Sequence, residues 1–256
     1  MGITIKSAAD IQKMREAGRI VEETLELLSR LAKEGVSTEW LDKEAAAFIR
    51  SSGAEPSFLG YNGYPKSICT SVNCQVVHGI PGDYRLRDGD ILSVDVGAQK
   101  AGWHGDAART LLIGNVKPEV KRLVEITREC FFKGIERAIP GNHISDISAA
   151  IQTHAESNGY TVVRELIGHG IGTHMHEQPD VPNFIDSRMG RGVKLVSGMT
   201  IAVEPMINLG TRDVVQLSDG WTVQTSDGLP SAHYENTIVI TDEGAQLLTL
   251  SGGTHG

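Results

Sequence analysis

The chain has 256 residues, 40% hydrophobic and 22% charged, an ordinary composition for one large globular domain. Its formal net charge of −8 disfavours direct nucleic-acid specificity, and no apolar run approaches the roughly 20 residues of a membrane helix. Its three cysteines, Cys69, Cys74 and Cys130, are scattered and without CxxC spacing; this argues against a disulfide framework or structural zinc and, with no N-terminal signal pattern, leads us to expect a soluble cytoplasmic protein.

Ser7 and Asp10 start the first predicted helix; Ile11, Met14, Val21, Leu25 and Leu28 mark its apolar face, and Gly35 ends it. A second helix is predicted over Thr38–Ser51, with Leu41, Ala45, Phe48 and Ile49 on its buried side and Gly53 after it. The strand GDILSVD (Gly89–Asp95) follows, and His104-Gly105-Asp106 precedes an apolar strand Leu111–Ile113. The plan then returns. Pro118 opens a helix through Leu123, Ile126 and Cys130 that stops at Gly141, and another runs from about Ser145 to Ser157, before Gly159. GMTIAVE (Gly198–Glu204) parallels GDILSVD, and His233-Tyr234-Glu235 precedes the strand Ile238–Ile240 as His104-Gly105-Asp106 precedes its own. The shared order implies an internal duplication within a single domain spanning 1–256. Its two α+β halves, about 1–115 and 116–256, would meet at a pseudo-two-fold axis with the four acids in the middle.

A hairpin turning near Lys100 and Ala101 would set Asp95 directly opposite Asp106 on one face. Like charges opposed on apolar strands repel and are costly to desolvate. Either one acid takes a proton or a cation lies between them; the plainer alternative makes Asp106 a solvated turn residue. Glu204, within IAVEPM, and Glu235, before TIVIT, stand in similarly apolar settings. Each alone reads also as a protonated core glutamate or half of a salt bridge, but for four acids one shared cation site is the simpler account. His169, in IGHGIG, has glycines on both sides that permit close backbone approach. Alone it would be structural; beside four acids it reads as a ligand. Carboxylates with one imidazole suit Mn, Fe(II), Co or Zn. Charge balance favours two divalent ions sharing acids, which is a hydrolytic arrangement.

The order Asp95, Asp106, His169, Glu204, Glu235 resembles the metal set of the superfamily of methionine aminopeptidase, aminopeptidase P and prolidase. YNGYPKSICTSVN, VVHGIPG, IGHGIGTHMHEQP, VEPMIN and AHYENTIVIT are similar to the methionine aminopeptidase branch, over nearly the whole chain. The resemblance implies an α+β pita-bread fold around a dinuclear metal site, and removal of N-terminal methionine before a small second residue. It implies that Asp106 and Glu235 bridge the two ions, that Asp95 binds one, and that His169 and Glu204 bind the other, with Glu204 also the general base. His78 and His176 are then not ligands but contact the substrate near the scissile amide and help stabilise the tetrahedral intermediate; read bare, His78 is a loop histidine. The resemblance also implies that Tyr61, Tyr64, Cys69, Met175 and Trp221 line the methionine pocket. A monovalent cation near Asn73, Gln75 and Ser231 is also implied, as are nascent polypeptide N-termini as substrates, a transient ribosome association and a monomeric state.

Three positions depart from the common pattern: Met175 where many relatives have Phe, Val77 where many have Cys, and Phe58 where the pocket wall is often smaller. They leave the pocket's shape open. The short interval between Glu204 and Glu235 lacks the type II insertion, and no extension with zinc-binding cysteines precedes the first helix, which matches the short bacterial type I form. Two other readings stand beside this one. Aminopeptidase P or prolidase would carry a sizeable extra N-terminal domain, whereas only two helices and a strand or so precede Asp95. A non-catalytic binding protein of the same fold would be expected to lose ligands, and all five are present.

Overall fold

The computed structural model describes residues 2–186, 188 and 190–250; Met1 and residues 251–256 of the expected domain lie outside them. Ser7 caps α1 (Ala8–Leu31) reciprocally: its hydroxyl accepts from Asp10 N, and the Asp10 carboxylate accepts from Ser7 N. Ser37 caps α2 (Thr38–Ser51) through Trp40 N. Then come β1 (Glu55–Pro56), β2 (Cys69–Val72), β3 (Gln75–Val77) and the long pair β4 (Ile91–Lys100) and β5 (Trp103–Leu112). α3 (Pro118–Ile135) ends well before Gly141, its C-terminus closing in tighter turns where Arg137 N donates to Gly134 O and Ala138 N to Ile135 O, both at 3.0 Å. α4 (Ile144–Ser157) begins where the Asp146 carboxylate accepts from His143 N at 2.7 Å. The remaining strands are β6 (Thr161–Val162), β7 (Gly168–Gly170), β8 (Glu177–Val181), β9 (Thr200–Val203), β10 (Met206–Asn208), β11 (Val214–Gln216), β12 (Val223–Thr225), β13 (Ser231–His233), β14 (Asn236–Thr241) and β15 (Gly244–Leu247).

The hairpin differs from expectation in two ways. Both acids lie inside strands rather than at their edges, β5 already starting at Trp103. The register pairs Gly97 with Asp106 and Asp95 with Ala108, so the two acids are diagonal neighbours and not opposite. The cause is the turn: Ala101 and Gly102 both take positive φ, 51° and 81°, as a two-residue hairpin loop requires. The shift is even, so both carboxylates keep the same face.

One sheet has the order β1-β4-β2, with β5 also paired to β4. α1 and α2 cover it through Ile20, Val21, Leu25, Leu41, Ala45 and Ile49, packed on Leu92, Val94, Val96 and Ala107. The largest sheet runs β15-β14-β9-β7-β8. α3 and α4 cover it through Leu123, Ile126, Phe131, Ile147 and Ile151, packed on Val181, Ile201, Val203, Ile238 and Ile240. Each fully buried aliphatic contributes about 1.5–3 kcal/mol. Two three-stranded sheets, β13-β10-β6 and β11-β12-β3, complete the structure. The two major sheets meet along a seam. Glu235 N donates to Ala108 O at 3.0 Å and Ala108 N to Glu235 O at 3.3 Å, and the Thr237 hydroxyl bonds both Asp106 N and Asp106 O at 3.0 Å. At this seam the acids come together.

Candidate metal centre and substrate pocket

Strand register explains why the acids converge. Asn236 of β14 pairs with Val203 of β9, so the next residue on each strand, Glu235 and Glu204, emerges beside the other. The Ala108–Glu235 bonds then set this pair against Asp106 and Asp95. Asp106 is 3% exposed and Glu235 2%, which excludes Asp106 as a solvated turn residue. Asp95 Oδ1, Asp106 Oδ1 and Glu235 Oε1 are buried without any hydrogen-bond partner. Burial raises the Asp95 carboxyl to about 7. Burial first, then repulsion among the acids, holds Asp106, Glu204 and Glu235 well above the ordinary carboxylate range. Such a group is stable with protons or with a cation, and buried oxygens left without partners suit a cation.

His169 lies in β7, and its flanking glycines are required by packing. A Cβ on Gly168 would fall 2.4 Å from Ala202 O, and one on Gly170 2.2 Å from Gln178 O, so only glycine lets β7 fit between β8 and β9. Its Nδ1 lies 2.8 Å from Gly170 O; donating there leaves the Nε2 lone pair free. Nε2 is 3.8 Å from both Asp106 Oδ2 and Glu204 Oε1, too far for hydrogen bonds. Burial lowers its pKa to about 3, so the ring is neutral, as a metal ligand must be. Two groups offer ligand atoms within 4.8 Å of one another: Asp106, His169 and Glu235; and Asp95, His233 and Glu235. The oxygen-rich donor set with imidazole fits hard to borderline divalent ions.

These residues floor a cavity of about 200 Å³ walled by Phe58, Tyr61, Asn62, Tyr64, Cys69, Met175 and Trp221, with His78 and His176 beside them. Tyr64 packs edge-on against Trp221, ring centres 5.1 Å apart, and its hydroxyl reaches the carbonyls of Ile68 and Gly79. Cys69 pairs with Asp95 in the β2–β4 ladder; burial, then that acid, raises the thiol pKa and keeps it protonated. His78 takes a left-handed backbone, φ 59°, and burial lowers its pKa to about 4. His176 Nδ1 is 2.7 Å from Tyr61 Oη, and its ring centre is 4.0 Å from that of His169. Neither His78 nor His176 belongs to a metal-capable group.

The expected ligands and pocket residues all line this one cavity, but Glu204 belongs to neither of the two metal-capable groups. Val77 is not among the lining residues; it packs with Val76, Val163, Met206 and Val223. Asn73, Gln75 and Ser231 are neighbours, Ser231 N donating to Asn73 O at 3.0 Å. Their side chains already have partners: Asp90 and Ile91 N for Asn73, Val72 N for Gln75, and Ile207 O for Ser231. Two residues of the site were not singled out in the sequence. The only signal for Asn62 is its Asn-Gly turn dipeptide, and the only one for His233 is its place two residues, one strand period, before Glu235.

The sequence profile of metallopeptidase family M24 matches residues 12–242. The chain belongs to metallopeptidase family M24. A methionine aminopeptidase of Clostridium perfringens is 52% identical to this M24 chain, covering 97% of it and 99% of the relative. Methionine aminopeptidase 1 of Bacillus subtilis is 49% identical over 96% of this chain and 99% of its own. The crystal structure of methionine aminopeptidase from Rickettsia prowazekii superposes with a TM-score of 0.95 at 43% identity, covering 97% of this chain and all of that one (100%). Prolidase from Pyrococcus furiosus shares the fold, with a TM-score of 0.78 at 22% identity, but this chain covers only 66% of it. The architecture is thus the pita-bread fold of M24, two α/β halves around the acid cluster, and the M24 metallopeptidases bind divalent metal. Among the described residues no helix is long and apolar enough to cross a membrane.

Proposed function

We propose that this M24 enzyme removes the N-terminal methionine of polypeptides whose second residue is small. The observation that carries the reading is the joining of four clustered carboxylates, two of them buried and two half-buried, and a neutral His169 to one cavity of about 200 Å³ also walled by Phe58, Tyr64, Cys69, Met175 and Trp221. Near-full-length similarity to methionine aminopeptidases supports it further.

In this reading Asp95, Asp106, His169, Glu204 and Glu235 would hold two divalent ions, Asp106 and Glu235 serving both, Asp95 one, and His169 with Glu204 the other. Ions held there would supply an activated water and polarise the scissile carbonyl. Glu204, beside that position and with its carboxylate facing His169, takes the proton as general base. His78 and His176 flank the scissile amide; His176, oriented by Tyr61, donates toward the developing oxyanion. Met175, Tyr64, Cys69, Trp221 and Phe58 surround the methionine side chain, with the Met175 thioether offering a soft, adaptable contact. The substrates are then nascent chain N-termini. A monovalent cation is also proposed near Asn73, Gln75 and Ser231, whose side chains already bond Asp90, Val72 N and Ile207 O.

Peptide specificity tests the reading. Met-Ala-Ser and Met-Gly-Xaa peptides are cleaved after reconstitution with Mn, Fe(II), Co or Zn; Met-Lys, Met-Phe and Xaa-Pro peptides are not. Efficient cleavage of Met-Lys or Met-Phe overturns the size rule, and preference for Xaa-Pro overturns the methionine reading.

A further inference from the structure

His233 has no part in the ligand set above. It ends β13, is 1% exposed, and its Nε2 is buried without a hydrogen-bond partner. An unpaired buried nitrogen destabilises the fold, a cost that an aliphatic residue there would avoid. The nitrogen is aimed at the acids: Nε2 lies 3.8 Å from Glu204 Oε2 and 3.8 Å from Glu235 Oε2. That is beyond hydrogen-bond reach. Two donors each about 2.0–2.2 Å from one ion can stand up to about 4 Å apart, so the spacing suits a shared cation. The geometry also separates two ligand groups, Asp106-His169-Glu235 and Asp95-His233-Glu235, which have only Glu235 in common. His169 belongs to one and His233 to the other.

We propose that His233 is a sixth protein ligand, giving Nε2 to the ion held by Asp95 and Glu235, so that each ion carries one imidazole. The inference rests on the two-metal reading. It makes the Asp95 position a mixed nitrogen–oxygen site, which shifts its preference away from oxygen-seeking ions such as Mg(II) toward Mn, Fe(II), Co and Zn.

Protein labelled with [15N]histidine and loaded with two equivalents of 113Cd(II) tests this directly. Wild type is expected to show two cadmium resonances, each split by one directly bonded 15N. In His233→Gln one resonance keeps its splitting, the other loses it, and affinity for the second Cd(II) falls by roughly tenfold or more. A wild-type spectrum in which only one of two bound ions couples to nitrogen overturns the assignment of His233 and leaves two-metal binding intact. So does a His233→Gln protein that binds the second Cd(II) as tightly as wild type. Uptake of fewer than two ions by wild type overturns the two-metal reading and this inference with it. The wild-type couplings decide even if the variant does not fold.

Discussion

Thr237 is fully buried in β14, and its hydroxyl serves Asp106 twice, accepting from its N–H and donating to its carbonyl, both at 3.0 Å. Glu235 and Ala108 exchange backbone bonds next to it, so this hydroxyl extends the seam by one more rung and pins the strand carrying Asp106. Thr237→Val keeps the shape and strands two buried backbone groups. Each unsatisfied group costs about 1–3 kcal/mol, so the expected loss is about 2–6 kcal/mol. At about 2–4 °C per kcal/mol for a chain of this size, Tm falls by roughly 4–24 °C. Thr237→Ser keeps both hydrogen bonds and loses one methyl, about 1 kcal/mol. Urea denaturation of both variants in chelator reads the stability, and titration with Mn(II) reads the centre; the Thr237→Val protein should also bind Mn(II) more weakly than wild type. A Thr237→Val protein as stable as wild type, or a Thr237→Ser protein as impaired as the valine variant, refutes the reasoning.

His176→Ala should lower kcat by the roughly 2.7–4 kcal/mol typical of an oxyanion donor while metal content stays near wild type; loss of a stoichiometric ion would make His176 a ligand. Gly97→Ala places a Cβ 2.7 Å from Phe58 Cε1 and 2.9 Å from Ser57 Cβ, so it pushes the pocket wall and should raise KM more than it lowers kcat; unchanged KM contradicts that. In chelator, burial keeps the Asp95 carboxyl near 7, and burial with mutual repulsion keeps Asp106, Glu204 and Glu235 well above ordinary carboxylates. The folded state therefore binds more protons than the unfolded chain above about pH 5, and this contribution to stability falls as pH rises. The buried His169 and His233, lowered to about 3, act oppositely only below about pH 6.5, where unfolded histidines protonate. From about pH 7 to 9 the melting temperature of chelated protein should drop, and saturating Mn(II) should flatten the slope. A rise over that interval in chelator counts against a cluster of protonated acids.

What was legible in the sequence was local. The Ser7–Asp10 cap and the Thr38–Ser51 helix are set by caps and periodicity within a few residues. The face shared by Asp95 and Asp106 survived a misplaced turn because strand periodicity is two. Their pairing did not, since it depends on Ala101 accepting a left-handed backbone that its side chain does not advertise. Gly141 suggests the end of α3, yet the helix already stops at Ile135 in tighter turns that no single residue announces. His233 was hidden for a different reason. A His-Tyr-Glu segment looks the same on a surface, and the ring is buried only because β13 pairs with β10 while the seam closes over it. Tyr61, Tyr64 and Trp221 likewise become a pocket only through tertiary packing; the resemblance to a known family, not their spacing, singled them out.

The most direct test of the centre is metal content of chelator-stripped, reloaded wild type beside three conservative variants. Wild type should hold two divalent ions. Asp106→Asn and Glu235→Gln each remove a charge shared by both ions and should deplete both, whereas Asp95→Asn should deplete one and leave a singly loaded protein. Equal, undiminished metal content in all three variants would contradict the account and return these acids to structural carboxylates.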